Sequence, residues 1–349
     1  MKNIIRTAII GYGYASKAFH VPLIRGTPGL ALVSVVSRDA AKVHADLPDV
    51  TVVNDASAIF SDPGIDLVII PTPNETHFPL AKAALEAGKH VVVDKPFTIT
   101  RAEAVMLDQL AKKQGCLLFV FHNRRWDSDF LTVSELLRTK RIGDLRYFES
   151  HFDRYRPEVR QRWREQQGEG SGIWFDLAPH LLDQAIQLFG MPQLLFVDLA
   201  TLRPGAQTTD YFHALLTYPE HRVVLHASLL VAAESPRFQL HGTNGSYICY
   251  GLDPQEGWLK EGELPSIERW SKTAHSGTLI CEEDGKLQQH SVTALAGDYP
   301  AYYASLRDAI QGEGENQVTA QQAIDVMTLI ELGMESAKRQ QAMPVTSAC

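Results

Sequence analysis

The sequence is poor in cysteine and carries no excess of positive charge. Its four cysteines, Cys116, Cys249, Cys281 and Cys349, lack the close spacing of a metal site, so we expect reduced thiols and a cytoplasmic protein. The formal net charge of −8 argues against general binding to nucleic acid or anionic membranes, which requires basic surfaces. No apolar run approaches the length of a membrane span, and no basic-then-apolar leader precedes the first predicted strand. We therefore expect neither a nucleic-acid partner nor a membrane.

No internal repeat or low-complexity segment divides the 349 residues, and the apolar fraction of 45% is that of a globular protein with a sizeable core. Up to about residue 122, short apolar runs such as Ile65–Pro71 and His90–Val93 alternate with helical patterns. This alternation predicts an α/β domain in which helices cover both faces of a parallel sheet.

Beyond that point the predicted strands become longer and more alternating, as in Leu145–Phe152 and Arg222–Val231, with few helices between them. Such a pattern favours a mostly antiparallel sheet that is open on one face and flanked by helices. We therefore predict a Rossmann domain over residues 1–122 and an α+β domain over residues 123–349. The polar segment 257–285 is predicted to form long loops.

A glycine-rich turn follows the first predicted strand, Ile4–Ile10. The sequence GYGYAS at residues 11–16 leads from this strand into a helical pattern, which is the context in which such a motif binds a dinucleotide. Gly11 allows a tight turn, Gly13 has no Cβ and lets the pyrophosphate approach the backbone, and the helix N-terminus offers free N–H groups. Ser16 stands where a third glycine is usual, which leaves the motif incomplete. An ordinary glycine-rich turn is the alternative.

The end of the second predicted strand, Leu30–Ser37, bears on the choice of cofactor. An acidic residue there would bind the ribose 2′-hydroxyl of NAD, whereas this chain has Ser37 and Arg38 about 20 residues past the glycines. A serine hydroxyl and an arginine can together bind a 2′-phosphate. We predict NADP and keep NAD as an alternative, because Asp39 follows directly and Arg38 could be an ordinary exposed arginine.

Lys95 follows the predicted strand His90–Val93, and ligands of parallel sheets bind at the carboxyl ends of the strands. A lysine beside the nicotinamide can donate a hydrogen bond or a proton to a carbonyl oxygen. A solvated loop lysine is the alternative. Pro96 comes next, so the bond between the two residues is one that can be cis.

A glycine-rich segment, residues 168–172, leads into a predicted helix that would align Asp176, His180 and Asp183 at spacings of four and three. Histidine suits general acid–base catalysis near neutral pH. Two alternatives stay open: Asp176 could cap the helix while His180 packs in the core, or the three residues could ligate a metal. Too few well-spaced ligands converge for a metal site, so we predict none.

Two basic stretches lie near these candidates. Residues 123–127, NRRWD, follow the last strand of the predicted parallel sheet, where the cofactor is expected. Residues 155–164 form a basic, aromatic segment ahead of the glycine-rich one. Interleaved aromatic and basic residues can bind nucleic acid, but on an acidic chain a solvated face or a substrate-gating loop fits better.

Four segments, GYGYASKAFHVP, TPNETH, AGKHVVVDKPF and GSGIWFDLAPHLLD, occur in this order. Together they resemble the glucose–fructose oxidoreductase / inositol dehydrogenase / rhizopine-catabolism (Gfo/Idh/MocA) family over nearly the whole chain. Two positions depart from the family pattern: E-K-P appears as Asp94-Lys95-Pro96, and D-x-G-x-H has Ala178 for its glycine. Within the family, HNRRWDSDF, YRPEVRQRWRE and FGMP resemble NADP-dependent scyllo-inositol dehydrogenases.

The resemblance implies roles for individual residues. Lys95 would contact the nicotinamide ribose and the substrate hydroxyl, His180 would exchange the substrate proton, and Asp176 would bind and orient the substrate. The C-terminal domain would bind substrate, and its sheet would mediate a homodimer or homotetramer. The predicted cofactor contacts are Gly11, Gly13, Tyr14, Ala15, Ser16, Ser37, Arg38, Thr72, Pro73, Asn74, His77, Asp94, Lys95, Asn123, Arg125 and Trp126. The predicted substrate contacts are Lys95, Tyr155, Trp163, Asp176 and His180.

The resemblance thus implies an NADP-dependent dehydrogenase or reductase acting on CH–OH groups, with a hydride passing between the cofactor and a cyclic polyol or sugar such as scyllo-inositol. Two other functions stay open. One is a non-catalytic nicotinamide-binding sensor or regulator on the same fold, against which the joint presence of Lys95, Asp176 and His180 argues. The other is a reductase of an aromatic diol, an imine or a linear tetrapyrrole, which would need a larger and more apolar pocket.

Overall fold

The computed structural model of the chain describes residues 4–160, 165–265 and 276–346. Within these ranges the chain folds into two compact units. The first contains residues 4–123, 254–265 and 298–324, and the second contains residues 124–253, 276–297 and 325–346. Two segments that follow residue 253 thus belong with the N-terminal unit, whereas the boundaries predicted from the sequence assign them to the second domain.

The first unit is built on the strands β1 (Ile5–Ile10), β2 (Leu30–Val36), β3 (Thr51–Val53), β4 (Leu67–Ile70), β5 (His90–Val93) and β6 (Leu118–Val120). They form one parallel sheet in the order β3-β2-β1-β4-β5-β6. Every residue of β4 is buried, as expected for a strand that is covered on both faces. This strand order reverses direction between β1 and β4, and ligands of such sheets bind at that point.

The second unit is built on the strands β7 (Leu145–His151), β8 (Leu194–Ala200), β9 (Tyr211–Thr217), β10 (Arg222–Ser228), β11 (Phe238–Gly242), β12 (Gly245–Cys249), β13 (Ser276–Glu283), β14 (Lys286–Thr293) and β15 (Met343–Pro344). They form a sheet in the order β14-β13-β12-β11-β7-β10-β9-β8-β15. Only β7 and β10 pair in parallel among these described strands. The predicted fold class, a Rossmann sheet followed by a mostly antiparallel sheet, is confirmed.

Helices connect and flank the strands. The α-helices of the described ranges are α1 (Val21–Gly26), α2 (Ala40–His44), α3 (Ala56–Ser61), α4 (His77–Glu86), α5 (Arg101–Gln114), α6 (Ser128–Arg138), α7 (Gly172–Phe189), α8 (Gln255–Lys260), α9 (Pro300–Ile310) and α10 (Ala320–Arg339). The same ranges contain the π-helical segment Ser16–His20 and the 3₁₀ turns Asn74–Thr76 and Asn123–Trp126. No helix in the described ranges has the length and apolar character needed to cross a membrane.

Helix α7 packs on one face of the nine-stranded sheet. Its Phe189 ring lies 5.2 Å from that of Phe148 in β7, and its Trp174 ring lies 5.1 Å from that of Phe212 in β9. The Trp174 indole also donates to the carbonyl of Ile330 in α10, 3.1 Å away. A Cβ on Gly333 would collide with this indole, so glycine is what lets α10 approach α7 closely.

The other face of this sheet carries polar side chains. Tyr147, Glu149 and His151 alternate along β7 with the buried Phe148 and Ser150, and each of the three is partly exposed. The facing residues His213 in β9 and His226 in β10 are partly exposed as well. We call the surface formed by these five polar residues the open face.

The segment 257–285 does not consist of long loops as predicted. Its described part includes most of α8 and the strand β13, which forms a hairpin with β14. Nearly all of β14 is exposed, so no alternation of apolar and polar residues marks it in the sequence.

Candidate functional site

The glycine-rich turn lies at the carboxyl end of β1, as the sequence predicts. Gly11 has φ +92°, which side chains disfavour, and a Cβ there would lie 3.3 Å from Cγ2 of Thr72. A Cβ on Gly13 would meet nothing within 4 Å, so its backbone is open to a ligand. The buried hydroxyl of Ser16 donates to the carbonyl of Gly11 at 2.8 Å and closes the turn. Serine thus serves in place of the third glycine. The turn fits the pyrophosphate of a dinucleotide.

Other predicted cofactor contacts follow neighbouring strands of the same sheet. Because β1, β2, β4 and β5 run parallel as neighbours, the segments after them emerge at one edge. These segments hold Tyr14 and Ala15 after β1, Ser37 and Arg38 after β2, Thr72, Pro73, Asn74 and His77 after β4, and Asp94 and Lys95 after β5. The first unit therefore brings this set of residues to one edge.

In the segment after β2, the adjacent residues Arg38 and Asp39 have different contacts. Arg38 is exposed, and among the described residues its guanidinium forms no ion pair. Asp39 is the N-cap of α2 and accepts from the amide of Lys42 at 2.9 Å, while its own amide donates to the Ser37 hydroxyl at 3.1 Å. The carboxylate that could have bound a ribose hydroxyl therefore has a capping role.

His77 lies inside the unit and not at its surface. Its Nδ1 lies 2.8 Å from the carbonyl of Pro96 and its Nε2 lies 2.9 Å from the carbonyl of Thr72. Burial lowers the pKa of this imidazole. Since both ring nitrogens face backbone carbonyls, His77 joins the loop after β4 to the loop after β5 and shapes the edge that Lys95 occupies.

Asp94 and Lys95 stand at the end of β5, and the Lys95–Pro96 bond is cis. Asp94 Oδ1 accepts from the Lys95 amide at 2.7 Å, and Oδ2 lies 4.0 Å from Nε2 of the fully buried His20. The Nδ1 of His20 is 2.6 Å from the hydroxyl of Tyr303. Burial acts to raise the pKa of Asp94, but His20 and the charge of Lys95 outweigh it and lower the pKa to about 2. The anionic carboxylate is thus held directly beside the candidate catalytic lysine.

The basic stretch after β6 contains an arginine with a buried carboxylate partner. Arg125, in the turn Asn123–Trp126, donates from Nε to Asp183 Oδ2 at 2.9 Å and from Nη2 to Oδ1 at 2.6 Å. Both side chains are less than one-tenth exposed. The guanidinium predicted to contact the cofactor therefore forms a buried two-point ion pair within the second unit. Asn123, the first residue of the turn, is buried.

Helix α7 holds Asp176, His180 and Asp183 together, as their spacing predicts. The N-cap position is Ser171, so Asp176 lies in the second turn and does not cap the helix. Asp176 is partly exposed and His180 is buried at 6% exposure. These three side chains are not among the groups of described residues whose atoms could share a metal ion.

The segment after β7 is held by an arginine that sequence reasoning missed. Arg203 is buried, pairs with Asp210 at 2.9 Å, and donates to the carbonyls of Arg156 and Glu158 at 3.0 and 3.1 Å. Tyr155, a predicted substrate contact, is 61% exposed beside this anchored backbone. The other predicted contact on this segment, Trp163, lies outside the described residues. No sequence motif marks Arg203. Asp210 is seven residues away, but the other partners of Arg203 are 38 or more residues away along the chain.

Comparison with known proteins agrees with this architecture. A family described as "Oxidoreductase family, NAD-binding Rossmann fold" matches residues 5–122, and "Oxidoreductase family, C-terminal alpha/beta domain" matches residues 134–346. The chain is 62% identical to the uncharacterized oxidoreductase YdgJ of Escherichia coli, over 97% of this chain and 98% of that protein. It is 36% identical to scyllo-inositol 2-dehydrogenase (NADP(+)) IolW of Bacillus subtilis, over 98% of this chain and 96% of that protein.

Solved structures give the same result. The structure of YPO2259 from Yersinia pestis has 56% sequence identity and a TM-score of 0.96, covering 100% of this chain and 99% of that one. The yvaA structure from Bacillus subtilis has 35% identity and the same TM-score of 0.96, with 99% of each chain covered. With both domains matched over nearly their full length, the chain belongs to the Gfo/Idh/MocA family of oxidoreductases.

Proposed function

We propose that this protein is an NADP(H)-dependent oxidoreductase that interconverts a secondary alcohol and a ketone on a cyclic polyol or sugar. The observation that carries the proposal is the position of Lys95, at the sheet edge where the glycine turn also lies. A dinucleotide bound at that turn extends along such an edge, so a lysine there is suited to act on a substrate beside it.

Backbone groups of the glycine-rich turn and the exposed side chain of Arg38 would bind the cofactor. The open backbone of Gly13 suits the pyrophosphate, and the exposed Arg38 with the Ser37 hydroxyl suits a 2′-phosphate. The capping role of Asp39 supports NADP over NAD. IolW, a relative at 36% identity, is by its name linked to NADP. When bound, the nicotinamide supplies or accepts the hydride.

The protein's own residues would position the substrate and move its proton. Lys95 would donate a hydrogen bond to the reacting oxygen, with the Asp94 carboxylate fixed beside it. His180 would take the hydroxyl proton during oxidation and return it during reduction. Asp176, one helical turn before His180 and partly exposed, would accept hydrogen bonds from substrate hydroxyls.

The open face supports a further part of the proposal, assembly of the chain into a homodimer or homotetramer through the nine-stranded sheet. It carries three partly exposed histidines together with Tyr147 and Glu149, and tyrosine is a residue enriched at interfaces. Light scattering on the purified protein would report the mass of the assembly, and a monomer at micromolar concentration would contradict this part.

Turnover tests the function directly. The purified protein would be mixed with NADPH or NADH and a panel of inososes, ketosugars, imines and aromatic diols, and consumption of the reduced cofactor would be followed by absorbance. We expect turnover of at least one cyclic ketone with NADPH, and slower turnover with NADH. Tight NADPH binding without turnover of any panel member would favour the sensor, and turnover confined to imines or aromatic diols would favour the other reductase.

A further inference from the structure

Two histidines and an aspartate converge on the open face. His151 ends β7, His226 lies in β10, and the two residues are direct partners in the parallel register of these strands. Asp153 follows two residues after His151. One ligand atom from each of the three residues can be chosen so that all lie within 4.8 Å of one another. The whole cluster belongs to the second unit.

The aspartate is fixed between the two imidazoles. Its Oδ2 lies 3.0 Å from His151 Nδ1 and its Oδ1 lies 2.9 Å from His226 Nδ1. The backbone amide of Ser228 donates to Oδ1 at 3.0 Å. The carboxylate is therefore oriented by the fold before any ligand arrives.

A second carboxylate orients the first imidazole. Glu149 Oε1 lies 2.7 Å from His151 Nε2, and the hydroxyl of Tyr147 donates to Glu149 Oε2 at 2.7 Å. In the neutral tautomer that donates from Nε2 to Glu149, the lone pair of Nδ1 is on the side of Asp153 and His226 and can bind a cation. A carboxylate that holds the distal nitrogen of a histidine is the usual outer partner in a metal site.

The second imidazole faces the same carboxylate. His226 Nδ1 is buried and lies 2.9 Å from Asp153 Oδ1. In the neutral tautomer with the proton on Nε2, the Nδ1 lone pair points at this carboxylate, and a cation bound between His226, His151 and Asp153 would remove the repulsion.

We propose that His151, Asp153 and His226 form a binding site for a divalent first-row transition metal, best suited to Zn²⁺. Two imidazole nitrogens and one carboxylate oxygen are a ligand set for zinc and its neighbours, whereas Mg²⁺ and Ca²⁺ prefer oxygen ligands alone. The metal would tie β7 to β10 at the parallel pair of the sheet. None of the three residues is one to which catalysis is assigned, so the metal acts on stability and not on turnover.

Imidazole and carboxylate ligands must lose their protons before they bind a metal, so the titrations are made at pH 8.

The experiment uses the full-length chain without a histidine tag, stripped with EDTA and dialysed. Cys281→Ser is introduced throughout, because Cys281, Glu283 and His290 form the other group of described residues that could share a metal ion. ZnCl₂ is titrated by calorimetry, and Co²⁺ is added separately to record its ligand-field absorption. His226→Ala is the test variant, Asp153→Asn is the second, and His241→Ala on β11 is the control.

We expect one Zn²⁺ per chain, with affinity reduced more than tenfold by His226→Ala and by Asp153→Asn and unchanged by His241→Ala. Zn²⁺ should raise the melting temperature of the parent and the control but not of the two test variants. Should a variant fail to fold, anomalous scattering at the zinc edge from crystals of the parent locates the metal. Absence of stoichiometric Zn²⁺ binding, equal binding by the test variants, or an anomalous peak away from these three side chains would overturn the proposal.

Discussion

The carboxylate of Asp183 holds the guanidinium of Arg125 at two points, 2.9 and 2.6 Å, one helical turn beyond His180. Both oxygens of Asp183 are engaged in this buried pair. A residue whose spacing suggested a part in catalysis or metal binding therefore joins the turn Asn123–Trp126 to helix α7.

Breaking this pair should destabilise the protein strongly. Asp183→Asn leaves the buried charge of Arg125 without its partner, which we expect to lower the free energy of unfolding by about 3–5 kcal/mol. Urea denaturation followed by circular dichroism measures the loss. Asp144→Asn is the matched control, because its ion pair with Lys140 is exposed and is worth at most about 1 kcal/mol. If the two substitutions lowered the free energy of unfolding equally, the buried pair would contribute no more stability than the exposed one.

Catalysis should not depend on a metal. Neither the role proposed for His180 nor that for Lys95 requires one, and Asp183 is engaged by Arg125. Prolonged dialysis against EDTA should leave kcat unchanged. If a metal had occupied the site at His151, the same dialysis should lower the melting temperature. Activity that disappears on dialysis and returns with zinc or manganese would assign a metal to the reaction.

Arg38 should decide the preference for NADP. Arg38→Ala is expected to weaken NADP binding by about 1–3 kcal/mol, the range of a charge-assisted hydrogen bond. NAD binding should change little, because NAD has no 2′-phosphate. Calorimetric titration of both cofactors measures the two changes, and Arg138→Ala, an exposed arginine on α6, is the control. Equal losses for NADP and NAD would remove Arg38 from the 2′-phosphate.

Lys95 and His180 should act in one chemical step. Lys95→Met and His180→Ala are each expected to lower kcat by about 10²–10⁴, the usual range for positioned acid–base groups. The double variant should lose much less than the product of the two losses, because residues that act as a unit are not additive. Stopped-flow measurement of hydride transfer gives these rates, and Lys113→Met, an exposed lysine on α5, is the control.

The pH dependence separates the two roles. His180→Ala should change the pH profile of oxidation, because it removes the proposed proton acceptor, while Lys95→Met should keep the profile of the unaltered protein. A His180→Ala protein with near-normal kcat and the original pH profile would make His180 a packed helix residue.

Cofactor binding distinguishes the two residues as well. The NADPH dissociation constant should rise modestly for Lys95→Met and hardly for His180→Ala.

Asp94 should contribute stability that depends on pH. Its folded pKa of about 2 lies below the ordinary 3.8, so the contribution is complete above about pH 5 and is lost as pH falls through 3.8 toward 2. At 1.36 kcal/mol per unit, the difference corresponds to about 2 kcal/mol. Urea titrations from pH 7 to pH 2 should show most of this loss for the parent but not for Asp94→Asn. The exposed substitution Asp49→Asn should leave the pH dependence unchanged, and an unaltered acid limb in Asp94→Asn would contradict the assignment.

The sequence by itself determined the features that depend on neighbours along the chain. The strand–glycine–helix order placed the turn at Gly11 and Gly13, and the alternation of apolar runs with helical patterns gave the parallel sheet. The spacing of four put Asp176 and His180 on one helix. These predictions succeeded because backbone sterics and side-chain periodicity act over a few residues.

Only the tertiary structure decided which distant side chains meet. Arg125 and Asp183 are 58 residues apart, and the register that faces His151 with His226 joins strands with several elements between them. The strand β14 escaped prediction because its exposed residues carry no apolar period. Such pairings are set by which faces the core buries and by which ions must then find a partner, and neither is recorded in the local order of residues.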